Sequence, residues 1–243
     1  MNTSAGRHLL TLSKLPSGKP EIFASIQGEG PTAGTPSAFV RLSLCNLQCS
    51  WCDTNYTWDW NVYDLKQETV QIPPESVASD AHKLGIENVV ITGGEPLLQQ
   101  KNLSTLANLL KQQGHRIEIE TNGTLVPSIQ LAQAIDQWNV SPKLSNSGNS
   151  AKLREVTEPL RWFAASDRAV FKFVVVEPSD LKEIEDVMDR FDIPRNRVLL
   201  SPEGTDSKTL GERGKWLVEE CVKGGYRFSP RLHIMLWGDV RGR

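Results

Sequence analysis

Three of the four cysteines, Cys45, Cys49 and Cys52, stand in the run CNLQCSWC. Thiolates are soft ligands, and a C-x3-C-x2-C spacing lets one loop wrap a compact metal centre, either an iron–sulfur cluster or zinc. With three thiolates, a four-iron cluster keeps one iron without a protein ligand, a position that a bound cofactor can take. A structural zinc would need Cys221 or His233 as its fourth ligand. Cys221 shares a helix face with Leu217 at i and i+4, however, and reads as a small buried hydrophobe. Clustered rather than dispersed cysteines also point to a metal or redox site in a reducing compartment.

Further polar groups fall where strands end. Thr92-Gly93-Gly94-Glu95-Pro96 follows the apolar run Val89–Ile91, Glu120-Thr121-Asn122-Gly123 follows the next strand, and Ser141-Pro142-Lys143 the one after. Glycines at such an end permit close backbone approach and unusual dihedrals, although the spacing is not that of a phosphate-binding loop. Helix entry or capping is the plain alternative for each. Upstream, Gln27 and Glu29 in QGEG offer the donors and acceptors that would read the amide and amine edge of a heterocycle, and Arg41 could pair with a carboxylate. The same residues could form a surface turn and a solvent-facing strand position. Trp51 could pack at the sheet rim, and Lys172 inside VFKFVVV could snorkel to solvent from a strand face.

The elements that must position these groups alternate. Strand candidates at Ser37–Leu44, Asn88–Thr92, Arg116–Glu120, Trp138–Val140, Val170–Val176 and Arg197–Leu200 are separated by helix candidates near 73–84, 103–112, 128–135, 153–165, 181–190 and 210–222. This βαβ order predicts an α/β fold with a mainly parallel six-stranded sheet, open or closed into a shortened barrel. Residues 1–20 read as a loosely held lead-in to a single domain over 21–243, and Arg231–Trp237 as a last extended segment. The loop Ser141–Ser150 (SPKLSNSGNS) is either a substrate-side flap or solvent-exposed.

Composition narrows the classes. The 243 residues carry 27 basic and 29 acidic side chains, a net charge of −2, so no global positive field draws the chain to nucleic acid or anionic membrane. There is no apolar stretch long enough to span a bilayer and no apolar signal-peptide core near the start, so the expected compartment is the cytoplasm.

The cysteine spacing, with Trp51 before its last member, resembles the signature of the radical S-adenosylmethionine (SAM) superfamily. Together with IFASIQGEG, the spans FVRLSLCNLQCSWCDT, VVITGGEP, IEIETNGT and SPK resemble the 7-carboxy-7-deazaguanine synthase family within it. The likeness runs in pieces from Glu21 to about Lys143 and resumes in the last third of the chain. It implies a radical SAM partial (β/α) barrel, with a [4Fe-4S] cluster on Cys45, Cys49 and Cys52, Mg2+ on the hydroxyl of Thr54, and SAM as cofactor. Reductive cleavage of SAM would give a 5′-deoxyadenosyl radical, and 6-carboxy-5,6,7,8-tetrahydropterin would become 7-carboxy-7-deazaguanine with loss of ammonia.

By the same resemblance, Trp51, Asp53, Gly93, Gly94, Glu95, Glu120, Asn122, Ser141 and Lys143 belong to the SAM site. The backbone at Ile26, with Gln27, Glu29, Arg41, Thr92 and His233, belongs to the pterin site, Lys172 matches a family lysine, and Ser201 stands at an adenine-site position. Two departures stand out: Leu232-His233-Ile234 where many members carry Thr-His-Lys, and Ser201-Pro202 where relatives often have Gln-Pro. The resemblance further implies a homodimer and a flavodoxin or ferredoxin as electron donor, with no direct contact to nucleic acid or membrane. Another radical SAM activity, such as a glycyl-radical activase, and a metal-bearing binding module remain rival readings. Turnover of a small pterin would separate them from the first.

Overall fold

The computed structural model describes residues 8–243. Its strands are β1 (Leu10–Ser13), β2 (Ile22–Ile26), β3 (Pro36–Leu42), β4 (Thr69–Ile72), β5 (Asn88–Gly93), β6 (Arg116–Thr121), β7 (Gln137–Val140), β8 (Ala169–Val175), β9 (Val198–Pro202) and β10 (Arg227–Phe228). Between them lie α1 (Leu65–Glu68), α2 (Pro74–His82), α3 (Gln100–Gln112), α4 (Ile129–Ala134), α5 (Ala151–Arg154), α6 (Thr157–Ala164), α7 (Asp180–Phe191) and α8 (Ser207–Gly224), with α9 (Leu232–Trp237) last. The sheet order is β10-β9-β8-β7-β6-β5-β3-β1-β4, with β2 also on β3. From β3 to β10 every pairing along the sheet is parallel, so all these strands end on one rim. That rim is where ligands bind in such sheets.

Strand periodicity explains why the apolar run VFKFVVV carries a lysine. Phe171, Phe173 and Val175 pack into the core beneath the helices, while Val170, Lys172 and Val174 alternate onto the opposite face and border a cavity. Phe39 and Arg41 of β3, Thr92 of β5, Glu120 of β6 and Asn139 of β7 border the same cavity. A face shared by so many strands is concave, and the sheet is a partial barrel left open between β10 and β4.

Four expectations need correction. The six parallel strands are present, but the sheet has ten, because β1, β2 and β4 extend it antiparallel and β10 adds a short parallel edge. The described part of the lead-in is not loose: Leu10 and Leu12 are fully buried in β1, paired with β4 and with Leu42. The remainder of that lead-in, residues 1–7, lies outside the described residues. The helix expected over 153–165 is two helices, broken at Glu155 and Val156, so that Pro159 falls in the first turn of α6, where its missing N–H costs nothing. Arg231–Trp237 is largely helical, because Leu232 N–H donates to Gly28 O (3.0 Å) and Ile234 alone of α9 enters the core, a one-sided burial that suits a short helix.

If β1 is part of the core, Leu12→Ala lowers unfolding free energy by about 3 kcal/mol. Urea denaturation measures this; a loose lead-in would tolerate the change within about 0.5 kcal/mol.

Candidate active site

The cysteine loop begins where β3 ends. Leu44, at φ 77°, turns the chain through the left-handed region, and its N–H donates to Thr57 O at 2.8 Å. The end of β5 packs directly beneath: Gly94 N–H donates to Leu42 O (3.0 Å) and Glu95 N–H to Leu44 O (2.8 Å). A Cβ on Gly93 would stand 1.8 Å from Leu42 O, and one on Gly94 would stand 2.1 Å from Leu44 O. Side chains cannot occupy such space, so the glycines are what let the two strand ends touch.

Each thiol accepts a hydrogen bond from an N–H group: Cys45 Sγ from Leu47 N–H (3.5 Å), Cys49 Sγ from Asn149 Nδ2 (3.3 Å) and Cys52 Sγ from Trp58 Nε1 (3.3 Å). All three cysteines are free and border the cavity. Burial pushes the Cys45 thiol up to about 12 and raises Cys49, while Lys143 works in the opposite direction on both. Thiolates there need a cationic partner. Among the described residues no three His, Cys, Asp or Glu side chains gather as ligands of a single ion. Three thiols in one loop fit a cluster whose cysteines each bind a different iron. Cys221 is buried in the core away from this cavity.

The loop Ser141–Ser150 is the wall over the cysteines. Ser50 N–H donates to Ser147 O (3.0 Å), and Trp51 Nε1 to Asn146 O (3.1 Å). The Asn149 amide both accepts from Gln48 N–H (3.0 Å) and donates to Cys49. Lys143 Nζ lies 5.4 Å from the Trp51 ring centroid, within cation–π range, and donates to Ser141 Oγ at 3.0 Å. Asn122 ties in from β6, its Nδ2 donating to Asn46 Oδ1 at 2.9 Å.

Opposite the cysteines the cavity is ionic. Glu29 is clasped between Lys172 and Arg231, whose Nε donates to Glu29 Oε1 at 2.8 Å. Arg231 also pairs with Asp53 and donates to Gly204 O (2.6 Å). Burial opposes charge on Asp53, but Arg231 and Arg41 outweigh it and hold its pKa below the usual range. Burial and Arg231 loosen the proton on Lys172, and the Glu29 carboxylate counters them. Burial, then Arg231, lowers His233 to about 4. Its ring lies on the QGEG loop, where a Cβ on Gly28 would come within 2.1 Å of Nδ1. Gln27 Nε2 (3.2 Å) and Thr92 Oγ1 (2.7 Å) donate to the two oxygens of Glu120, which places Glu120 with the residues expected to meet the pterin. Thr54 Oγ1 is 3.7 Å from Cys52 Sγ and borders the cavity beside Asp53.

Of the residues singled out from sequence, all but Glu95 and Ser201 border this one cavity. Glu95 is fully buried, its carboxylate accepting from Leu97 N–H (2.9 Å), Thr121 Oγ1 (2.8 Å) and Asn122 N–H (2.7 Å), and it braces two strand ends without bordering the cavity. Ser201 is buried within β9 opposite Val174, and Glu203 two residues on reaches the cavity instead. Sequence reasoning missed Arg231, Asn149 and Asn139. The run SNSGNS signalled a loop but not which amide would face a sulfur, and Arg231 sits far along the chain from both carboxylates it pairs with.

The family model of the radical SAM superfamily matches residues 40–142. A 7-carboxy-7-deazaguanine synthase from Pyrobaculum aerophilum is 41% identical over 225 residues, which span 92% of this chain and 96% of the relative. The chain belongs to the 7-carboxy-7-deazaguanine synthase family. A relative of that name from Hyperthermus butylicus is 37% identical over 89% of this chain and 91% of its own. QueE from Escherichia coli matches in structure with a TM-score of 0.70 at 25% identity, covering 96% of this chain and all of that one. As a radical SAM member the chain takes a four-iron cluster and SAM.

Two outcomes follow from the geometry. Hydrogen bonds to cluster sulfurs favour the more negative reduced state. Asn149→Leu therefore moves the cluster midpoint to a more negative potential without changing iron content, as read by potentiometric titration. His233, with its folded pKa below the unfolded 6.5, stabilises fully above pH 6.5, and that contribution falls away as pH drops through about 4. Acid thermal unfolding should show a loss on the order of 2 kcal/mol in that window that His233→Gln lacks.

Proposed function

We propose that the protein is a radical SAM carbon–nitrogen lyase that converts 6-carboxy-5,6,7,8-tetrahydropterin to 7-carboxy-7-deazaguanine, with loss of ammonia, in 7-deazapurine (queuosine) biosynthesis. The observation that carries this reading is the two-sided cavity, in which thiols line one half and the Glu29, Arg41 and Gln27 groups line the other. When bound, the cluster supplies the single electron that splits the sulfonium bond of SAM.

The residues then have distinct tasks. Cys45, Cys49 and Cys52 hold the cluster, while Gly93 and Gly94 let the backbone approach the methionine end of SAM and Trp51 with Lys143 borders it. Glu29 and the Ile26 backbone take the donor edge of the pterin, helped by Gln27, Thr92 and the neutral His233. Arg41 takes the carboxylate. A hard cation wants oxygen, so the Thr54 hydroxyl would hold Mg2+, which would supply positive charge to the substrate, with Asp53 kept anionic beside it. The protein thus contributes position and fixed charge.

No helix among the described residues is long and apolar enough to cross a membrane. We place the enzyme in the cytoplasm as a homodimer reduced by a flavodoxin or ferredoxin, with no direct role for nucleic acid.

Reconstituted enzyme, incubated anaerobically with dithionite, SAM, Mg2+ and the pterin, should yield 7-carboxy-7-deazaguanine by mass spectrometry without stoichiometric loss of SAM. Cys49→Ala abolishes product. Thr54→Ala lowers turnover on the order of tenfold or more and flattens the Mg2+ response; an undiminished Mg2+ response would remove Thr54 from the cation site.

A further inference from the structure

Glu21 is a fully buried carboxylate held by two guanidinium groups, one from β3 and one from the 238–243 segment. Arg41 Nε donates to Oε1 at 2.8 Å and Arg241 Nε to Oε2 at 3.2 Å. The Tyr56 hydroxyl donates from 3.1 and 3.2 Å to the two oxygens. Arg241 is fixed from two further directions: it donates from Nη1 to Glu68 at 2.7 Å, and its guanidinium carbon lies 3.6 Å from the Tyr56 ring centroid. It does not border the cavity.

Arg41 is differently placed. It does border the cavity, commits only Nε to Glu21, and among the described residues its two terminal nitrogens have no hydrogen-bond partner. A buried carboxylate with one guanidinium neighbour draws it into a two-bonded fork. Here the second guanidinium occupies the other oxygen, so the outer nitrogens of Arg41 stay turned toward the cavity.

We propose that Arg241 is a positioning residue that holds Glu21 from behind and thereby presents the free fork of Arg41 to a carboxylate on the bound substrate. The inference rests on the reading of Arg41 as the carboxylate partner. Its physical content is charge balance: Arg41 and Arg241 face Glu21 and Glu68, and loss of Arg241 leaves one cation against two anions. Arg41 would then turn to Glu21 and offer less to a ligand.

The test compares wild type, Arg241→Met and Arg241→Lys as cluster-loaded enzymes. It measures kcat and KM for 6-carboxy-5,6,7,8-tetrahydropterin and the inhibition constant of the tetrahydropterin lacking the carboxylate. Arg241→Met should raise KM about tenfold or more, with kcat and the analogue's inhibition constant moving by no more than about threefold, and the lysine variant should recover most of the loss. Equal rises in KM and the inhibition constant would reduce Arg241 to general support and overturn the proposal, as would an unchanged KM. Should Arg241→Met not fold, Glu68→Gln loosens the same clamp and must raise KM with the same selectivity, or the proposal fails. A wild type that binds both pterins equally well would instead remove the carboxylate role of Arg41, a failure recognisable before any variant is made.

Discussion

The site depends on a backbone contact that excludes side chains. Leu42 O and Leu44 O fill the space where the Cβ atoms of residues 93 and 94 would stand, and the hydrogen bonds from Gly94 and Glu95 hold the end of β5 against the start of the cysteine loop. The thiols are thereby placed over the sheet rim. Glu95, satisfied by Leu97, Thr121 and Asn122, carries the same bracing across to β6, and Asn122 returns it to the cysteine loop through Asn46. A chain of buried polar contacts of this kind is stable only when every member is paired, which makes the rim one rigid unit.

Charge divides the cavity. On the cysteine side, neutral donors from Leu47, Asn149 and Trp58 meet the sulfurs and Lys143 supplies the nearby positive charge. On the other side, Arg231 gathers the QGEG loop, the residue after Cys52 and the loop after β9 by pairing with Glu29, Asp53 and Gly204 O. The two halves are joined at Cys52 and Asp53, adjacent in sequence yet committed to opposite partners. A cofactor reduced on one side and a polar substrate held on the other would meet at that junction, and preorganised charge at such a place needs no rearrangement during reaction.

Bracing of this density also explains the antiparallel extension. β1, β2 and β4 add no residue to the thiol half, yet β1 buries Leu10 and Leu12 against the core, and β2 leads into QGEG in register with β3. Ile26 pairs with Pro36, so the hairpin between them arrives over the cavity at a set height. The parallel strands make the rim, and these three hold its far edge.

The sequence by itself determined the chemistry and most of the parallel sheet. The cysteine spacing, the glycines of GGEP and the alternation of apolar strands with helices are local patterns, and local patterns persist in the fold because each depends on neighbours within a few residues. Its reach ended where a decision belonged to distant partners. Glu95 looks like a ligand in GGEP, but its burial beneath Thr121 and Asn122 made it a brace. Arg231–Trp237 has no periodicity strong enough to choose strand or helix, and contact with Gly28 chose helix. Which face Lys172 takes, which amide of SNSGNS meets Cys49, and that Arg231 and Arg241 reach residues some 180 to 220 positions away were decided only by tertiary structure. The physical reason is that a charged or polar side chain carries no local signal of its partner: it is placed by the need to satisfy it once the strands have brought distant loops to one rim.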